Sequence, residues 1–448
     1  MRKIIILLGV SILIVSFLFF IGAKKKAVEE AVSVEEEQVE LVWWWWGEQD
    51  EPGLEKWVKE TVEMYEAEHP NIKIKTVLQP TDELIPAFQA AAQSRSGPDI
   101  QFFWAGTVTM EPAFNGYLAP ISDYWSPEEI KMLAFPEEVT WNGKVWAVSF
   151  YTTICPMVYN KEIFAEAGLD PENPPKTWDE FLDACAKIKK AGYVPFAIGA
   201  SGGFGFSWLQ IFAGMHLDSP AEILKVWVGQ DDFTDLKYSD WFYKIQELVD
   251  KGYINEDAHT LNLWTANEEY FGGGKAATAL LPSGTARLIN EEILVGKVGI
   301  MNPPIFGDGK LAGMNNIWRK NIGITEWSPH KEIAADFLKF TISEDRARAM
   351  YDICNVYSGS KYFNPAVVKD DMGKKFYKEL NKSFSALTDA FDPMFITYES
   401  IQPAGQNILA GEWSAKEAAE FVEKQAQQWR ETNPEFVKAY SEWLKSYE

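Results

Sequence analysis

The stretch LVWWWWG, residues 41–47, is a continuous apolar run that ends at a glycine. A run of this kind is typical of a strand buried on both faces of a parallel sheet. A helical pattern over residues 52–65 follows it, and the alternating NIKIKTV, residues 71–77, predicts a second strand. Another helical pattern over residues 84–93 leads to DIQFF, residues 99–103, a third strand. This β-α-β-α-β order predicts an α/β unit with a parallel sheet.

The tryptophan run also marks one end of that sheet. In open α/β sheets, ligands bind beyond the carboxyl ends of the strands. Trp45 and Trp46 end the first strand, and Trp104 ends the third. We therefore expect the early tryptophans of the run in the core and the last ones at a cleft.

Similar patterns continue along the rest of the chain, without an internal repeat. The glycines and aromatics of residues 202–208 predict a loop. Thr177 is placed to cap a helix that runs to Lys190. Further strands are predicted over residues 143–148, 195–199 and 276–281, and further helices over residues 241–250, 331–341 and 415–430.

Length and charge restrict the possible functions. A chain of 448 residues exceeds one ordinary core, so two lobes are expected. The net charge of −23 disfavours nucleic acid and anionic membranes as partners, and a neutral ligand fits better. The odd set of Cys155, Cys185 and Cys354 is no disulfide framework. Buried thiols are expected, and one disulfide pair stays an alternative.

The amino terminus predicts export. A basic start, an apolar run and the small residues Gly22-Ala23 indicate a signal peptide over residues 1–23. An uncleaved membrane anchor is the competing interpretation, because the run is long enough to span a bilayer. The acidic residues 24–39 predict a solvated tether. The mature protein is therefore expected in the periplasm or at the cell surface, with tethering by an uncleaved signal as the alternative.

Catalytic motifs are absent from the sequence. The four histidines, His69, His216, His259 and His330, show no metal-ligand spacing. The chain contains neither a G-x-S-x-G elbow nor a phosphate-binding P-loop. Paired carboxylates such as Asp231-Asp232 are the type that a glycosidase uses, but acidic residues occur throughout the chain. A protein without enzymatic activity, metal or cofactor is predicted.

Several motifs in order carry a resemblance over nearly all of the chain after residue 40. The series is WGE (46–48), YEAEHPNIKI (65–74), PDIQFFWAG (98–106), GYLAPI (116–121), MVYNKEIFAEAGLDPENPPKTWDEF (157–181), GYVPFAIG (192–199), AADFLKFTISEDRARAM (334–350) and ILAGEWSAKEAAE (408–420). VYNKEIF and PPKTWDEF are the most specific of these motifs. With them, the chain resembles the extracellular solute-binding proteins of ABC-type sugar importers, the family that includes maltose-binding protein.

The resemblance implies a two-lobed α/β fold of the type II periplasmic-binding-protein class. Each lobe has a mixed, mainly parallel sheet flanked by helices, and a hinge closes the cleft between the lobes. The N-terminal lobe is expected to comprise residues 40–150 plus about 304–356. The C-terminal lobe is expected to comprise residues 151–303 plus about 357–448. The crossings are expected near residues 149–154, 299–304 and 355–360.

The resemblance also implies ligand contacts at the first lobe. Trp46, Glu48 and Gln49 follow the first strand, where the family places polar contacts to sugar. Glu48 is suited to accept hydroxyl hydrogen bonds, with a solvated loop carboxylate as the alternative. Trp104 matches a position that faces sugar, and the alternative is a core residue. An indole face suits the C–H face of a pyranose.

Further positions follow from the hinge and the second lobe. Tyr151 and Thr153 are expected at the cleft floor. Phe206 and Trp208 match an aromatic wall, although an ordinary tight turn also explains their glycine-rich surroundings. Gly284 follows a strand, where the lack of a side chain leaves room for ligand.

The last candidates lie late in the chain. Trp318 precedes a strand predicted at the lobe edge, and Asn316 is one of the hydrogen-bond donors around it. Tyr398 aligns with a further sugar-stacking aromatic, and Glu399 is its neighbour, although an aromatic at helical spacing more often lies in a core.

The resemblance implies a monomeric receptor that closes around a mono- or oligosaccharide and docks on a membrane permease of an ABC transporter. The alternatives are a secreted carbohydrate-active hydrolase and a receptor for glycerol-phosphate, a polyamine or a peptide.

Overall fold

The computed structural model describes residues 38–447, apart from the side chains of residues 388 and 389. The predicted signal peptide, and the predicted tether up to residue 37, lie outside the described residues. Between residues 38 and 447, no helix combines the length and the apolar character that a bilayer crossing requires.

The strands and helices alternate along most of the described chain. The strands are β1 (Val39–Trp45), β2 (Ile72–Leu78), β3 (Ile100–Trp104), β4 (Leu118–Ala119), β5 (Thr140–Trp141), β6 (Lys144–Val145), β7 (Val148–Cys155), β8 (Met157–Asn160), β9 (Val194–Phe196), β10 (Ala276–Leu280), β11 (Val298–Met301), β12 (Asn316–Thr325), β13 (Tyr357–Ser358) and β14 (Phe384–Ser385). The α-helices are α1 (Leu54–Glu68), α2 (Leu84–Ser94), α3 (Thr107–Phe114), α4 (Pro127–Ile130), α5 (Lys161–Glu166), α6 (Trp178–Lys190), α7 (Leu224–Trp227), α8 (Leu236–Asp250), α9 (Leu263–Ala266), α10 (Ser283–Leu288), α11 (Lys331–Thr341), α12 (Glu344–Cys354), α13 (Asp371–Leu380), α14 (Leu387–Ala390), α15 (Met394–Ile396), α16 (Gln402–Leu409), α17 (Ala415–Thr432) and α18 (Pro434–Lys445).

The first sheet has the strand order β13-β7-β12-β3-β1-β2, and β4 and β14 also pair with β12. The second sheet has the order β11-β8-β10-β9. The chain passes from the first sheet to the second between β7 and β8, where residue 156 alone separates the two strands. The two-lobed α/β fold class is thus confirmed.

Both sheets are mixed rather than mainly parallel. Strand β1 runs parallel to β2 and β3, as the sequence predicts. In contrast, β12 runs antiparallel to both β3 and β7. Periodicity within one segment does not show strand direction, because direction depends on how a distant segment returns to the sheet.

The strand predicted over residues 143–148 is instead a short hairpin followed by β7. Asn142 and Gly143 have φ angles of 52° and 72°, and they connect β5 to β6. Two successive residues with positive φ are typical of a hairpin turn, and Asn-Gly favours that conformation. The predicted cap of α6 is present, because the Thr177 side chain accepts from the Glu180 amide.

Trp43, Trp45 and Trp46 are all buried, so the position of the last tryptophans at a cleft stays a prediction. Trp43 is fully buried and lies edge-on to Phe150 and Phe337, with ring centroids 5.8 and 5.5 Å away. The Trp46 ring packs at the end of β1 against Trp104, 5.4 Å away.

Candidate functional site

A cleft lies where the ends of β1 and β3 meet a kinked 3₁₀-helical segment that follows β9, Ser201–His216. It contains a cavity of about 280 Å³. Trp104 lines this cavity from the first sheet, and Phe204 and Tyr398 line it from the opposite side. The predicted Glu399 also lines the cavity and is exposed.

Aromatic rings form a continuous series around the cleft. From the first sheet, Trp104 at the end of β3 lies 6.1 Å from Phe204. Phe204 lies 6.5 Å from Trp208 in the same 3₁₀ segment. Trp208 in turn lies 5.8 Å from Trp318 on β12. The Lys320 ammonium lies between the two ends of this series, 5.5 Å from the ring of Trp318 and 5.5 Å from that of Trp46, which contacts Trp104.

Two perpendicular tryptophans hold rings of this series in place. Trp46 stands at 88° to Trp104, and Trp264 stands at 88° to Trp208, 5.7 Å away. Such edge-to-face contacts are favoured by the ring quadrupole. Both rings are buried, and they also contact Phe204 and Trp318, respectively.

One face of the β7–β12 pair, which the resemblance predicts as the floor of the cleft, carries a set of buried side chains. Strand alternation places Asn316, Trp318 and Lys320 on the same face of β12. The antiparallel register puts three residues of β7 opposite them in turn, namely Cys155, Thr153 and Tyr151. All six residues are buried. The predicted positions Tyr151, Thr153, Asn316 and Trp318 are therefore neighbours in space.

Three charged side chains are buried at this floor. Lys320 Nζ lies 3.5 Å from Asp50 Oδ2, and Thr153 Oγ1 donates to Glu51 Oε1 over 2.8 Å. Burial raises the pKa of Asp50, although Lys320 opposes the change. Burial, followed by the charge of Asp50, raises the pKa of Glu51 well above its usual value.

The space beside the Gly284 Cα is occupied by another part of the protein. A Cβ on Gly284 would collide with Glu51 Oε2 and would lie 3.2 Å from the Cys354 carbonyl oxygen. The missing side chain therefore leaves room for the Glu51 carboxylate, which reaches helix α10 from the loop after β1.

Several buried polar atoms at the floor and on the facing 3₁₀ segment have no hydrogen-bond partner within the described chain. They are the Tyr151 hydroxyl, both side-chain atoms of the Asn316 amide, and Trp208 Nε1. Folded proteins contain few such atoms, because each costs about 1–3 kcal/mol when it is left unpaired. Further such atoms occur elsewhere in the described chain, but these lie beside the aromatic rings, where a polar ligand could bond them.

Glu48 and Gln49 have local partners. The Glu48 carboxylate accepts from the amides of Gly53, over 2.9 Å, and Glu55, over 2.6 Å. These two hydrogen bonds pair backbone amides at the amino-terminal end of α1. Gln49 Oε1 accepts from Thr81 Oγ1 over 3.0 Å, and Thr81 Oγ1 accepts from Trp46 Nε1 over 2.9 Å. Gln49 therefore supports the orientation of the Trp46 ring.

Phe206 lies away from the cleft. It is fully buried, and its ring packs against Trp241 and Phe242 at centroid distances of 5.2 and 5.8 Å. Phe204 faces Trp104 in its place. The preceding kink, where Gly202 has a φ of 68°, decides which of the two rings faces the cleft.

The sequence reasoning missed five residues at the site. They are Asp50, Glu51, Phe204, Trp264 and Lys320. Lys320 follows Asn316 and Trp318 at intervals of two residues along β12. The two-residue period of a strand could therefore have placed Lys320 on the same face as these two residues. Asp50 and Glu51 resemble any other acidic pair in the sequence until the fold places Lys320 beside them.

In residues 38–447, no group of three or more His, Cys, Asp or Glu side chains is arranged to hold a metal ion. Cys155, Cys185 and Cys354 are buried free thiols. Burial raises the pKa of each thiol, so the reactive thiolate is disfavoured.

Comparison with known proteins supports a single family. Residues 45–347 match the model of a family described as bacterial extracellular solute-binding protein. An ABC transporter extracellular-binding protein of Pyrococcus horikoshii, itself described as uncharacterized, is 28% identical over 229 residues, which cover 48% of this chain and 52% of that protein. The sn-glycerol-3-phosphate-binding periplasmic protein UgpB of Yersinia pseudotuberculosis is 26% identical over 275 residues, 59% of this chain and 61% of the relative. The matched region thus spans between half and two-thirds of the length of these relatives.

A solved structure extends the likeness to nearly the whole fold. A chitin oligosaccharide binding protein superposes with a TM-score of 0.77 at 21% identity, covering 87% of this chain and 98% of the other. The resemblance expected from the sequence motifs is confirmed. The chain belongs to the bacterial extracellular solute-binding protein family.

Proposed function

We propose that this protein is an extracytoplasmic receptor that binds a sugar between two lobes and delivers it to an ABC transporter permease. The sequence predicts lobes of residues 40–150 with about 304–356, and of residues 151–303 with about 357–448. Because β7 and β13 belong to the first sheet, we propose to move two of these boundaries to the ends of the strands, Cys155 and Ser358. We also propose that the protein is a monomer, that it does not bind nucleic acid and that it needs no cofactor.

The observation that carries the proposal is the pairing of aromatic faces with unpaired buried polar atoms. A sugar has C–H groups that pack on aromatic rings and hydroxyls that both donate and accept. The floor offers a donor at Tyr151 and both a donor and an acceptor at Asn316, and the facing 3₁₀ segment offers a donor at Trp208. One ligand class meets both requirements.

The charge at the floor supports a ligand without a phosphate group. Asp50 and Glu51 place two carboxyl groups beside the single ammonium of Lys320. Lys320 already pairs with Asp50, so no free cation is left among these three groups to neutralise an added phosphate. The relative named as a glycerol-phosphate-binding protein therefore does not decide the ligand here.

Transport would follow from a shift between open and closed forms. A ligand that contacts both sides of the cleft binds the closed form more tightly than the open form. Trp318 and Trp208 come from opposite sides, so a ligand between them gains its full contact only on closure. The permease would recognise the closed form.

A receptor and a hydrolase differ in what happens to the bound sugar. Purified protein would be mixed with an oligosaccharide panel, and thermal unfolding and the released products would be measured. We expect a rise in melting temperature with at least one sugar and no shorter products. Product release would contradict a receptor, and the absence of any thermal shift or binding heat would contradict sugar recognition.

A further inference from the structure

Helix α10 follows β10 of the second sheet, but several of its side chains bond segments that belong to the first sheet or pack on it. Thr285 Oγ1 donates to the Asp50 carbonyl oxygen over 3.1 Å. The Glu51 carboxylate lies beside the Gly284 Cα and accepts from Thr153 of β7. Because Asp50 and Glu51 lie in the loop after β1, this first group of contacts joins the first sheet to α10.

A second group of contacts surrounds Arg287, near the end of α10. Arg287 Nη1 donates to the Tyr351 hydroxyl over 3.3 Å and to Asn355 Oδ1, and it lies 3.3 Å from Asp370 Oδ2. The guanidinium also lies 5.7 Å from the centre of the Tyr351 ring. Tyr351 is in the last turn of α12 and Asn355 ends that helix, where the partial negative charge of the helix end favours a cation. Hydrogen bonds from a charged donor are stronger than neutral ones, so Arg287 makes the strongest polar contacts of α10.

The partners of Arg287 are attached to the first sheet. On α1, Trp57 Nε1 donates to the Arg346 carbonyl oxygen of α12 over 3.0 Å. The Tyr351 ring lies 5.7 Å from the ring of Tyr357 on β13, and β13 pairs with β7 at the edge of the first sheet. A movement of α10 away from the first sheet would therefore separate Arg287 from Tyr351.

Apolar side chains are buried in the same contact. Ala286 of α10 and Ile289, just beyond it, are buried in one apolar cluster with Tyr351 and Tyr357. Burial of this apolar surface stabilises the joined form in addition to the hydrogen bonds. The two kinds of contact act together, because both are lost if α10 moves away.

The contacts of α10 are separate from the cavity of the cleft. Among the described residues that line this cavity, none lies in α10. Every partner of α10 named above is a group of the protein itself. These contacts can therefore join the two lobes without the help of a ligand.

We propose that α10 is a clasp, formed by Gly284, Thr285 and Arg287 with their partners, that holds the two lobes closed before a sugar binds. Arg287 is its main positioning residue, and it raises the affinity for sugar without touching the sugar. This inference rests on the proposed closure of two lobes around a sugar and specifies what controls that closure.

The expected effect on affinity follows from the population of the closed form. The apparent Kd is the intrinsic Kd divided by the fraction of the receptor that is competent to bind. A clasp that keeps this fraction near one adds almost nothing to the apparent Kd. If loss of the Arg287 guanidinium lowers the closed fraction to about one tenth, the apparent Kd increases about tenfold.

The first test needs no sugar. Small-angle X-ray scattering of the sugar-free parent should fit the closed structure, and Arg287→Met, which keeps the length of the side chain but not its charge, should be more expanded. Asn355→Gly is a second variant. Glycine adopts the positive φ of 60° at this position and removes the oxygen that accepts from Arg287, so the same expansion is expected. An open parent, or variants that scatter like a closed parent, would overturn the clasp.

A control and a sugar separate opening from general damage. Arg348→Met removes an exposed guanidinium of α12 that pairs with Asp352 on its own helix, and it should scatter like the parent. Thermal unfolding would verify that each variant is folded. The sugar of the oligosaccharide panel that gives the largest thermal shift should bind Arg287→Met about tenfold more weakly and, at saturation, return it to the closed form. Expansion that this sugar does not reverse, or unchanged affinity in an expanded variant, would overturn the inference. If no sugar binds the parent, the proposed function fails, and the scattering without sugar still decides whether the clasp exists.

Discussion

Glu111 provides a quantitative test of the packing between the first lobe and the carboxy-terminal helices. It lies on α3 and is enclosed by protein, with one carboxyl oxygen, Oε1, accepting from the Met394 amide and from the Tyr440 hydroxyl, each over 2.9 Å. Burial raises the pKa of Glu111 to about 7, although both hydrogen bonds oppose the change. The carboxyl group is therefore mostly protonated in the folded protein in mildly acidic solution.

The direction of the pH effect follows from this pKa. In the unfolded chain the pKa of Glu111 returns to about its usual 4.5. Between pH 4.5 and 7 the folded state therefore holds more protons, and stability decreases as the pH rises. The difference between a pKa of 4.5 and one of about 7 corresponds to about 3 kcal/mol of folding free energy. About one pH unit above the folded-state pKa, where the folded state is also deprotonated, the loss is complete.

Glu111→Gln should remove this pH dependence, because a neutral amide keeps an oxygen that accepts from both donors. Urea unfolding at pH 4.5, 6, 7 and 8 would be compared with that of the parent and of Glu435→Gln, which alters an exposed carboxylate. The parent should lose about 3 kcal/mol more than Glu111→Gln between pH 4.5 and 8, and Glu435→Gln should behave like the parent. Parallel curves for the parent and Glu111→Gln would refute a protonated Glu111.

Further predictions concern the cleft itself. Trp104→Ala and Trp208→Ala should each weaken sugar binding at least about tenfold in calorimetric titrations, because each removes a stacking face. Unchanged affinity in both variants would rule out the stacking site. Gly284→Ala should destabilise the protein by about 1–3 kcal/mol, because the added methyl group collides with the Glu51 carboxylate. An unchanged urea midpoint would show that this carboxylate can move aside without cost. Thr153→Val should destabilise the fold by about 1–3 kcal/mol, since Glu51 loses a buried donor, and equal unfolding curves would contradict that role.

Local chemistry explains how much of the fold could be predicted from the sequence. The apolar run of β1 and the capping pair Thr177 and Glu180 act through neighbours in the chain, so the sequence alone indicates them. The position of Trp104 could also be predicted, because strand ends collect at one edge of a parallel sheet. The hairpin turn at Asn142-Gly143 had a readable signature as well.

The rest of the site depends on contacts between distant segments. Lys320 is 270 residues from Asp50, and only the completed first sheet brings their charges together. The choice between Phe204 and Phe206 depends on backbone angles at a glycine kink, where periodicity gives no direction. The role of Glu48 could not be predicted either, because a loop carboxylate can bond a ligand or the amides at the start of a helix. In the structure, Glu48 accepts from amides at the start of α1.

The most direct test of sugar binding between paired rings is a crystal structure of the protein with the sugar that binds most tightly. One sugar unit should lie between Trp208 and Trp318, in van der Waals contact with both rings, and Asn316 should bond its hydroxyls. A structure in which Trp208 and Trp318 remain in contact with each other, while the sugar occupies another surface, would contradict binding between the rings.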